Sequence, residues 1–254
     1  SSIIINLFMV PYVSFIFYPF SLVTFIFKPL NFIFIYLCNI FYYLNQFFSQ
    51  FNLMINIPKT NILIIILYYL ILYLAIIFNQ KKYILLLPLL ILYIKIIPKI
   101  DSNYYIYYLD IGQGDSSLLI SPYKKEIIMI DTGGNPTSKY KVSDGTLLLL
   151  KSLGITSINT IIISHGDSDH CYDTLNIINN INVKNVMLNN GDYNELETNI
   201  INSHVKINNK VNLKYFKYTN LKEEIYNEEN KNSLVNSFTI YNYKLLFVGD
   251  SPID

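Results

Sequence analysis

The sequence predicts a transmembrane α-helical segment over residues 1–100, followed by an α/β domain over residues 101–254. Three observations support this division. The first hundred residues carry six lysines and no acidic residue, whereas the remainder carries 13 lysines against 18 acidic residues, so the net charges are +6 and −5. Uncharged runs long enough to cross a bilayer occur only in the first part. Short strand-like runs alternate with helical patterns only in the second part.

Two uncharged runs are predicted to span a hydrocarbon core of about 30 Å. Residues 61–78 contain no charge and are bounded by lysines, and residues 3–27 form a second run interrupted by Pro11 and Pro19. A proline in a lipid-exposed helix frees backbone groups that only neighbouring helices or water can satisfy. This favours a packed bundle or a pore wall over a single anchor.

Two further apolar segments carry polar residues. Residues 31–55 end in a cluster of Asn, Gln and Ser, which indicates an interfacial helix or one that faces a wet cavity. Residues 83–97 contain Pro88 and Lys95 and are predicted as a short span. An apolar soluble core is the alternative for the whole region, and the run lengths disfavour it. We therefore expect a multi-pass protein of the cell membrane, with its orientation left open by lysines on both sides.

The second part reads as strands mixed with helices, which indicates α/β or α+β layers. Strands are predicted at 104–110, 116–121, 126–130, 160–164 and 184–189, a hairpin at 238–241 and 244–248, and helices at 145–153 and 173–180. Residues 192–231 are polar and weakly patterned, and no element is predicted there.

A dense group of metal-ligating side chains follows the predicted strand 160–164. Two of the three histidines, His165 and His170, flank Asp167 and Asp169 within six residues. Imidazole and carboxylate are ligands for Zn, Mn or Fe, and four of them this close can seat two ions. Two ions about 4 Å apart would lower the pKa of a bridging water and clamp phosphate oxygens. The alternative is a polar loop with helix-capping aspartates.

The strand–HxDxDH–helix arrangement resembles the metallo-β-lactamase superfamily, whose signature in this setting is HxHxDH. Asp131, in Asp131-Thr132-Gly133-Gly134, stands where that superfamily has a structural Asp at the end of an early strand. Asp250, in the sequence LFVGD, matches its late-strand Asp, which bridges the metals. The resemblance implies an αββα-type fold with one or two divalent ions, Zn or Mn. It implies metal ligands at His165, Asp167, Asp169, His170 and Asp250, catalytic roles for Asp167 and Asp169, and a supporting role for Asp131.

The resemblance extends to the ComEC competence family. Residues 109–116, LDIGQGDS, resemble the DVGQGDS opening of the extracytoplasmic-type domain of that family, and 147–155 and 232–235 are similar to its later segments. Residues 6–24 resemble the closing membrane segments of its competence domain. The resemblance implies a bacterial DNA-uptake protein that passes one DNA strand and degrades the other. Its expected partners are DNA, the lipid bilayer and other DNA-uptake proteins, with a homo-oligomer also possible.

The sequence departs from the superfamily pattern at several positions. Asp167 replaces the second histidine of HxHxDH, which makes the site rich in oxygen and favours Mn or Mg beside Zn. Asn232 stands where a histidine ligand is often found, and a neutral amide is a poor ligand. Asp115 follows a Gly-x-Gly turn, where it either stabilises the turn or lies at the metal rim. Both ends of the chain look cut, so we expect a fragment whose second domain is C-terminally incomplete.

Three functions remain open at this stage. The first is a metal-dependent nuclease attached to a DNA channel, against which the net charge of −5 in the second part counts, because phosphate contacts normally rely on Lys and Arg. The second is a catalytically inactive metal-binding or DNA-binding module that gates a transporter. The third is a membrane-anchored hydrolase of a small ester or phosphodiester.

Overall fold

Helices make up the N-terminal part of the described chain, and two β-sheets with flanking helices make up the C-terminal part. The structure is a computed structural model that describes residues 2–50, 57–138, 141–208, 210–221 and 230–252. The chain divides into two units, Ser1–Asn56 and Ile57–Asp254. The domain boundary that the sequence analysis places at residue 100 stays a prediction.

The first unit contains α1 (Ser2–Tyr12), α2 (Tyr18–Ile26) and α3 (Asn31–Gln50). A π-helical turn, Val13–Phe17, joins α1 to α2. Pro19 has no N–H group, and its ring collides with the carbonyl four residues earlier in an ordinary α-helix. A wider turn relieves that collision, and single π-turns inside helices have this form. The prolines therefore distort the predicted span instead of ending it.

Phe8–Ile26 is the one helix in the described ranges that is long and apolar enough to cross a membrane. The next two helices, α4 (Ile62–Ile77) and α5 (Leu86–Ile96), are apolar but only 16 and 11 residues long. A spanning helix needs about 20 residues. The multi-pass expectation is therefore not supported by the helices of this structure.

The start of α4 is fixed by local hydrogen bonds. The side-chain oxygen of Asn61 accepts a hydrogen bond from the N–H of Leu63 at 3.1 Å, which caps the helix. Two residues earlier, the N–H of Lys59 donates to the carbonyl of Ser152 at 2.7 Å and so ties this helix to the C-terminal domain. Residues 51–55 of the predicted segment 31–55 lie outside the described residues.

The larger sheet, sheet A, carries the strands that precede the histidine cluster. Its strands, in spatial order, are β1 (Tyr105–Tyr108), β2 (Ser116–Ile120), β3 (Ile127–Thr132), β4 (Ser157–Ile162), β5 (Asn182–Met187) and β6 (Lys206–Ile207). The first three are antiparallel, and β3 to β6 are parallel. The residues of β2 and β3 are buried on both faces, as continuous apolar runs in a covered sheet are expected to be. The strands that the sequence predicts here are confirmed.

The smaller sheet, sheet B, is antiparallel and contains β7 (Lys217–Asn220), β8 (Asn236–Ile240) and β9 (Tyr243–Phe247). The predicted hairpin is confirmed as β8 and β9. The strands β6 and β7 lie in the weakly patterned region where the sequence analysis placed no element, because polar residues and short length hide their periodicity.

Two apolar cores hold the C-terminal domain together. One lies between sheet A and the helices α6 (Val142–Ser152), α8 (Thr174–Asn180) and α9 (Glu195–Ile201), and the other lies between sheets A and B. Burial of apolar area stabilises such layers by about 25 cal/mol per Å². The described residues of this domain therefore form three layers, α-β-β.

The predicted site residues converge at one edge of sheet A. Ile130 of β3 lies opposite Ile162 of the parallel strand β4, so both strands end at the same edge. Asp131 is the penultimate residue of β3, and His165 follows β4 by three residues. The carboxyl ends of parallel strands are where open α/β sheets place their ligands. Asp250 reaches this edge from the end of β9 in the other sheet.

Candidate metal centre

Three side chains from separate parts of the chain meet at this edge. One ligand atom from each of His165, His170 and Asp250 lies within 4.8 Å of the other two, and the described residues contain no second group of three such side chains. The Nε2 atom of His170 lies 3.3 Å from Oδ1 of Asp250, and the Nε2 atom of His165 lies 4.0 Å from Oδ2. Both imidazoles are buried, whereas the Asp250 carboxylate is 44% exposed and leaves the group open to solvent on one side.

The hydroxyl of Ser164 holds both imidazoles. Its Oγ atom lies 3.0 Å from Nδ1 of His165 and 3.3 Å from Nδ1 of His170. Because Nδ1 of each ring is engaged there, the Nε2 atoms face the Asp250 carboxylate. Such contacts fix the tautomer and the orientation of ligating histidines. The sequence analysis placed residue 164 at the end of the strand before the cluster and gave it no role.

The Asp131 carboxylate lies behind Ser164 and is 2% exposed. It accepts hydrogen bonds from the N–H of Ser164 at 2.6 Å and from its hydroxyl at 2.7 Å, and it lies 3.0 Å from Nδ1 of His170. Its backbone has a φ of +52°, which is uncommon for a residue other than glycine. A strained, buried carboxylate of this kind is maintained only where its contacts outweigh the cost.

The buried atoms of this group fit a divalent cation. Nε2 of His165 is buried and makes no hydrogen bond with the described residues, although Oδ2 of Asp167 lies 3.4 Å away. A buried polar atom without a hydrogen bond is costly, and an ion held between imidazole nitrogens and a carboxylate would satisfy it. Two nitrogen ligands and one oxygen ligand suit Zn or Mn.

The carboxylates around His170 favour its protonated, positively charged form. Burial lowers the pKa of His170, but the hydrogen bond to Asp131 and the charges of Asp131, Asp250 and Asp169 outweigh it and raise the pKa to about 9. The excess of negative charge at this edge therefore attracts cations. A divalent ion would compensate that negative charge as the protonated imidazole does. Its binding would release the proton of His170.

Residues 109–198 match the family model described as the Metallo-beta-lactamase superfamily. They form a metallo-β-lactamase-like domain. ComE operon protein 3 of Bacillus subtilis (strain 168) is 28% identical over an alignment of 104 positions that covers 37% of this chain and 13% of that protein. The Rm3 metallo-beta-lactamase structure is 15% identical, with a TM-score of 0.37 over 58% of this chain and 59% of that one.

Two of the predicted ligands of the metallo-β-lactamase-like domain lie outside the group of three. Oδ2 of Asp167 contacts Nε2 of His165, and this side chain is 46% exposed. Asp169 is half-buried and acts on His170 through its charge. Their roles as ligands stay predictions, as do those of the other site residues.

Asp115 and Asn232 have different surroundings. Asp115 is exposed and lines a cavity of about 190 Å³ that Asp131, Ser164 and Gly249 also line. Asn232 is buried and packs against Gly191, in a segment joined to the site by a hydrogen bond from the N–H of Leu234 to the carbonyl of Ser164. Their supporting roles stay predictions.

The short helix α7 (Ser168–Cys171) is clamped from two sides in this metallo-β-lactamase-like domain. On one side, the N–H of Gly133 and the hydroxyl of Thr132 both donate to the carbonyl of His170, at 3.2 Å each. On the other side, the side-chain amide of Asn194 donates to the carbonyl of Gly166 at 2.5 Å. The Asp131-Thr132-Gly133-Gly134 motif and the histidine cluster 165–170 therefore pack against each other.

Asn194 is a residue that the sequence analysis missed. It caps α9, where its side chain accepts the N–H of Glu197 while the Glu197 carboxylate accepts the N–H of Asn194. The spacing Asn-x-x-Glu before an apolar run is the signature of this capping box, so the signal was present in the sequence. A side chain at Gly166 would collide with both residues, which explains the glycine after His165.

Gly114 gives a first test of how the loop of the candidate metal centre is supported. A Cβ atom at this position would collide with the backbone carbonyl of Asp169, and φ is +97°. Gly112 has a similar φ of +79° but open space around it. We expect Gly114→Ala to lower the free energy of unfolding by about 1–3 kcal/mol more than Gly112→Ala, because both place alanine at a strained positive φ but only the Gly114 variant collides with α7. Denaturant unfolding of the two variants measures this difference, and equal losses would contradict it.

Ser164 gives a second test. Ser164→Ala removes the hydroxyl that orients both imidazoles but keeps the backbone N–H that donates to Asp131, so the fold should be retained. We expect the affinity for Mn²⁺ to fall by about 10–100-fold, as it does when outer contacts of ligating histidines are removed. Ser116→Ala is the matched control, because this buried serine donates to the backbone carbonyl of Asp131 and touches neither histidine. Calorimetric titration with Mn²⁺ checks the prediction, and an unchanged affinity in Ser164→Ala would refute it.

Proposed function

We propose that the metallo-β-lactamase-like domain is a divalent-cation-dependent phosphodiester hydrolase that cuts DNA, and that the chain belongs to a bacterial DNA-uptake machine. The observation that carries the proposal is the convergence of His165, His170 and Asp250 within 4.8 Å. Asp250 follows the two histidines by 85 and 80 residues in sequence. A ligand set with buried imidazoles and one side open to solvent suits metal-assisted hydrolysis.

The cation would bind between Nε2 of His165, Nε2 of His170 and the Asp250 carboxylate. When bound, it supplies a Lewis acid for a phosphoryl oxygen and acidifies water. Ser164 and Asp131 keep the two imidazoles in the ligating orientation. The half-exposed Asp167 carboxylate, 3.4 Å from His165, lies where a base can accept a proton from attacking water. Asp169 is proposed as the second carboxylate that takes part in hydrolysis.

Similarity to ComE operon protein 3 supports a role in DNA uptake, together with the resemblance of residues 109–116 and 6–24 to the ComEC competence family. The match covers 13% of that protein, so activity, substrate and partners are proposals for this chain. The expected partners remain DNA, other DNA-uptake proteins and a second copy of this chain.

Exposed apolar helices support association with the cell membrane. Side chains such as Phe25, Ile76 and Leu85 are 86%, 78% and 71% exposed, and soluble proteins rarely present apolar surface on this scale. The span Phe8–Ile26 would insert into the bilayer, and α4 and α5 would lie at its surface or against partner helices.

A second candidate function is a binding or gating module without turnover. It is favoured because the Asp167 and Asp169 carboxylates do not belong to the group of three ligand atoms that lie within 4.8 Å of one another. Such a site would bind one cation and leave the second position of a two-metal centre without ligands.

Hydrolysis assays on the full chain in detergent separate these functions. With Mn²⁺ or Zn²⁺ added, the proposal predicts cutting of linear DNA that is lost in His165→Ala and kept in His204→Ala, which changes an exposed histidine. Cation binding without cutting would establish the gating module instead. Turnover of bis(4-nitrophenyl) phosphate without turnover of DNA would place the chain among hydrolases of small phosphodiesters.

A further inference from the structure

A polar groove lies on sheet A away from the candidate metal centre. It has a volume of about 480 Å³ and lies between the central residues of β4 and β5, the strand β6 and the segment 210–213. Thr160 on its floor precedes His165 by five residues, which corresponds to roughly 15 Å along a strand. The groove is therefore separate from the group of His165, His170 and Asp250.

Side-chain amides form the floor of this groove. The amide of Asn208 donates to the side-chain oxygen of Asn185 at 2.8 Å, and the amide of Asn185 donates to the backbone carbonyl of Asn159 at 3.3 Å. The side-chain oxygen of Asn159 accepts the N–H of Ile127 at 3.0 Å. Within the described ranges, this leaves the Asn159 amide as a donor and the Asn208 oxygen as an acceptor. A paired donor and acceptor is what the edge of a nucleobase requires.

The walls and rim add the other features of a nucleotide site. Val211 and Leu213 line one wall and are half-buried, so they offer apolar surface to the face of a ring. Lys206 and Lys210 line the groove and are exposed, so their ammonium groups are free to meet phosphate. Lysine is a common phosphate ligand, because it acts as a mobile point charge.

Among the described residues, Glu126 is the one acidic residue that lines the groove, and both of its carboxylate oxygens are hydrogen-bonded. Its two carboxylate oxygens accept the backbone N–H groups of Lys214 at 3.1 Å and Tyr215 at 2.8 Å. The side chain is buried, so it anchors the wall of the groove. The lysines therefore set the sign of the charge at the rim.

We propose that this groove binds nucleoside phosphates, with the lysines on the phosphate and the asparagine amides on the base. The shared chemistry is found in free nucleotides and in the units of a nucleic-acid strand. Binding here needs neither a divalent cation nor hydrolysis, so it stands or falls separately from the proposed nuclease activity. A local basic site also offsets the net charge of −5 in this part of the chain.

The test uses the full chain in detergent with EDTA present, so that the candidate metal centre takes no part. A short fluorescein-labelled oligodeoxyadenylate is titrated by fluorescence anisotropy. The double variant Lys206→Gln/Lys210→Gln should weaken binding by about tenfold or more and reduce the slope of log affinity against log salt by about 1.4, since each phosphate contact on a single strand contributes about 0.7. The matched control is Lys151→Gln/Lys244→Gln, which removes the same charge from exposed positions outside the groove. Asn212→Asp, which adds one negative charge inside the groove without changing its shape, should also weaken binding.

Competition then distinguishes the two sources of the ligand. Displacement of the oligonucleotide by deoxyadenosine monophosphate at similar concentration assigns the groove to free nucleotides, and displacement only by longer strands assigns it to nucleic acid. Equal losses in the lysine double variant and its control would overturn the proposal. Displacement by phosphatidylglycerol vesicles but not by nucleotides would also overturn it, because the lysines would then bind lipid phosphate.

Discussion

Asp250→Asn is expected to abolish tight binding of Mn²⁺ or Zn²⁺ and to reduce hydrolysis by a thousandfold or more. The carboxylate is the only anionic member of the group with His165 and His170, and its oxygens lie 3.3 and 4.0 Å from their Nε2 atoms. Asparagine has nearly the same shape but no charge, and neutral amides are poor ligands for these ions. A bound cation contributes several kcal/mol to transition-state stabilisation, which corresponds to about a thousandfold in rate.

Elemental analysis after gel filtration and calorimetric titration measure the loss of metal. The matched control is Asp192→Asn, which removes the charge of an exposed aspartate elsewhere in the domain and should leave metal content unchanged. Because the Asp250 side chain is 44% exposed, the fold should persist in the variant. Full metal content in Asp250→Asn would show that this residue is not a ligand.

Asp131→Ala is expected to destabilise the domain by about 3–5 kcal/mol, the range measured when one partner of a buried charged pair is removed. The variant leaves the N–H and hydroxyl of Ser164 and the Nδ1 atom of His170 without their acceptor. It also places alanine at a φ of +52°, where its Cβ atom is strained.

Asp131→Asn separates these two contributions. Asparagine tolerates the left-handed backbone conformation, and one amide oxygen still accepts a hydrogen bond. We expect it to lose less stability than the alanine variant and yet to bind Mn²⁺ weakly, because the charge that holds His170 is gone. Asp144→Ala, at an exposed position, should change the free energy of unfolding by about 0.5 kcal/mol or less. A similarly small effect for Asp131→Ala in urea unfolding would contradict the account.

The sequence was most informative where apolar periodicity and short motifs coincide. The runs before Asp131 and His165 predicted buried strands, which are confirmed as β3 and β4. Because these two strands are parallel, the residues that follow them lie at one edge of sheet A. Asp250 needed a motif as well, since it comes from the second sheet.

Other features depend on contacts that no linear pattern encodes. The position of the Ser164 hydroxyl between two imidazoles follows from the turn after β4, and the position of Asn194 against Gly166 follows from the packing of α9. The strands β6 and β7 are short and polar, so tertiary pairing fixes them where propensity does not. The helix Phe8–Ile26 continues through its prolines by a π-turn, which a rule that treats proline as a helix end does not anticipate.

Pulsed electron paramagnetic resonance of the Mn²⁺-loaded chain tests the central claim most directly. The chain has three histidines, so labelling histidine with ¹⁵N marks His165, His170 and the exposed His204. We predict imidazole nitrogen couplings to Mn²⁺ that change with the label, persist in His204→Ala and are lost in His165→Ala/His170→Ala. Bound Mn²⁺ without any histidine nitrogen coupling would show that the ion lies elsewhere and would contradict the account.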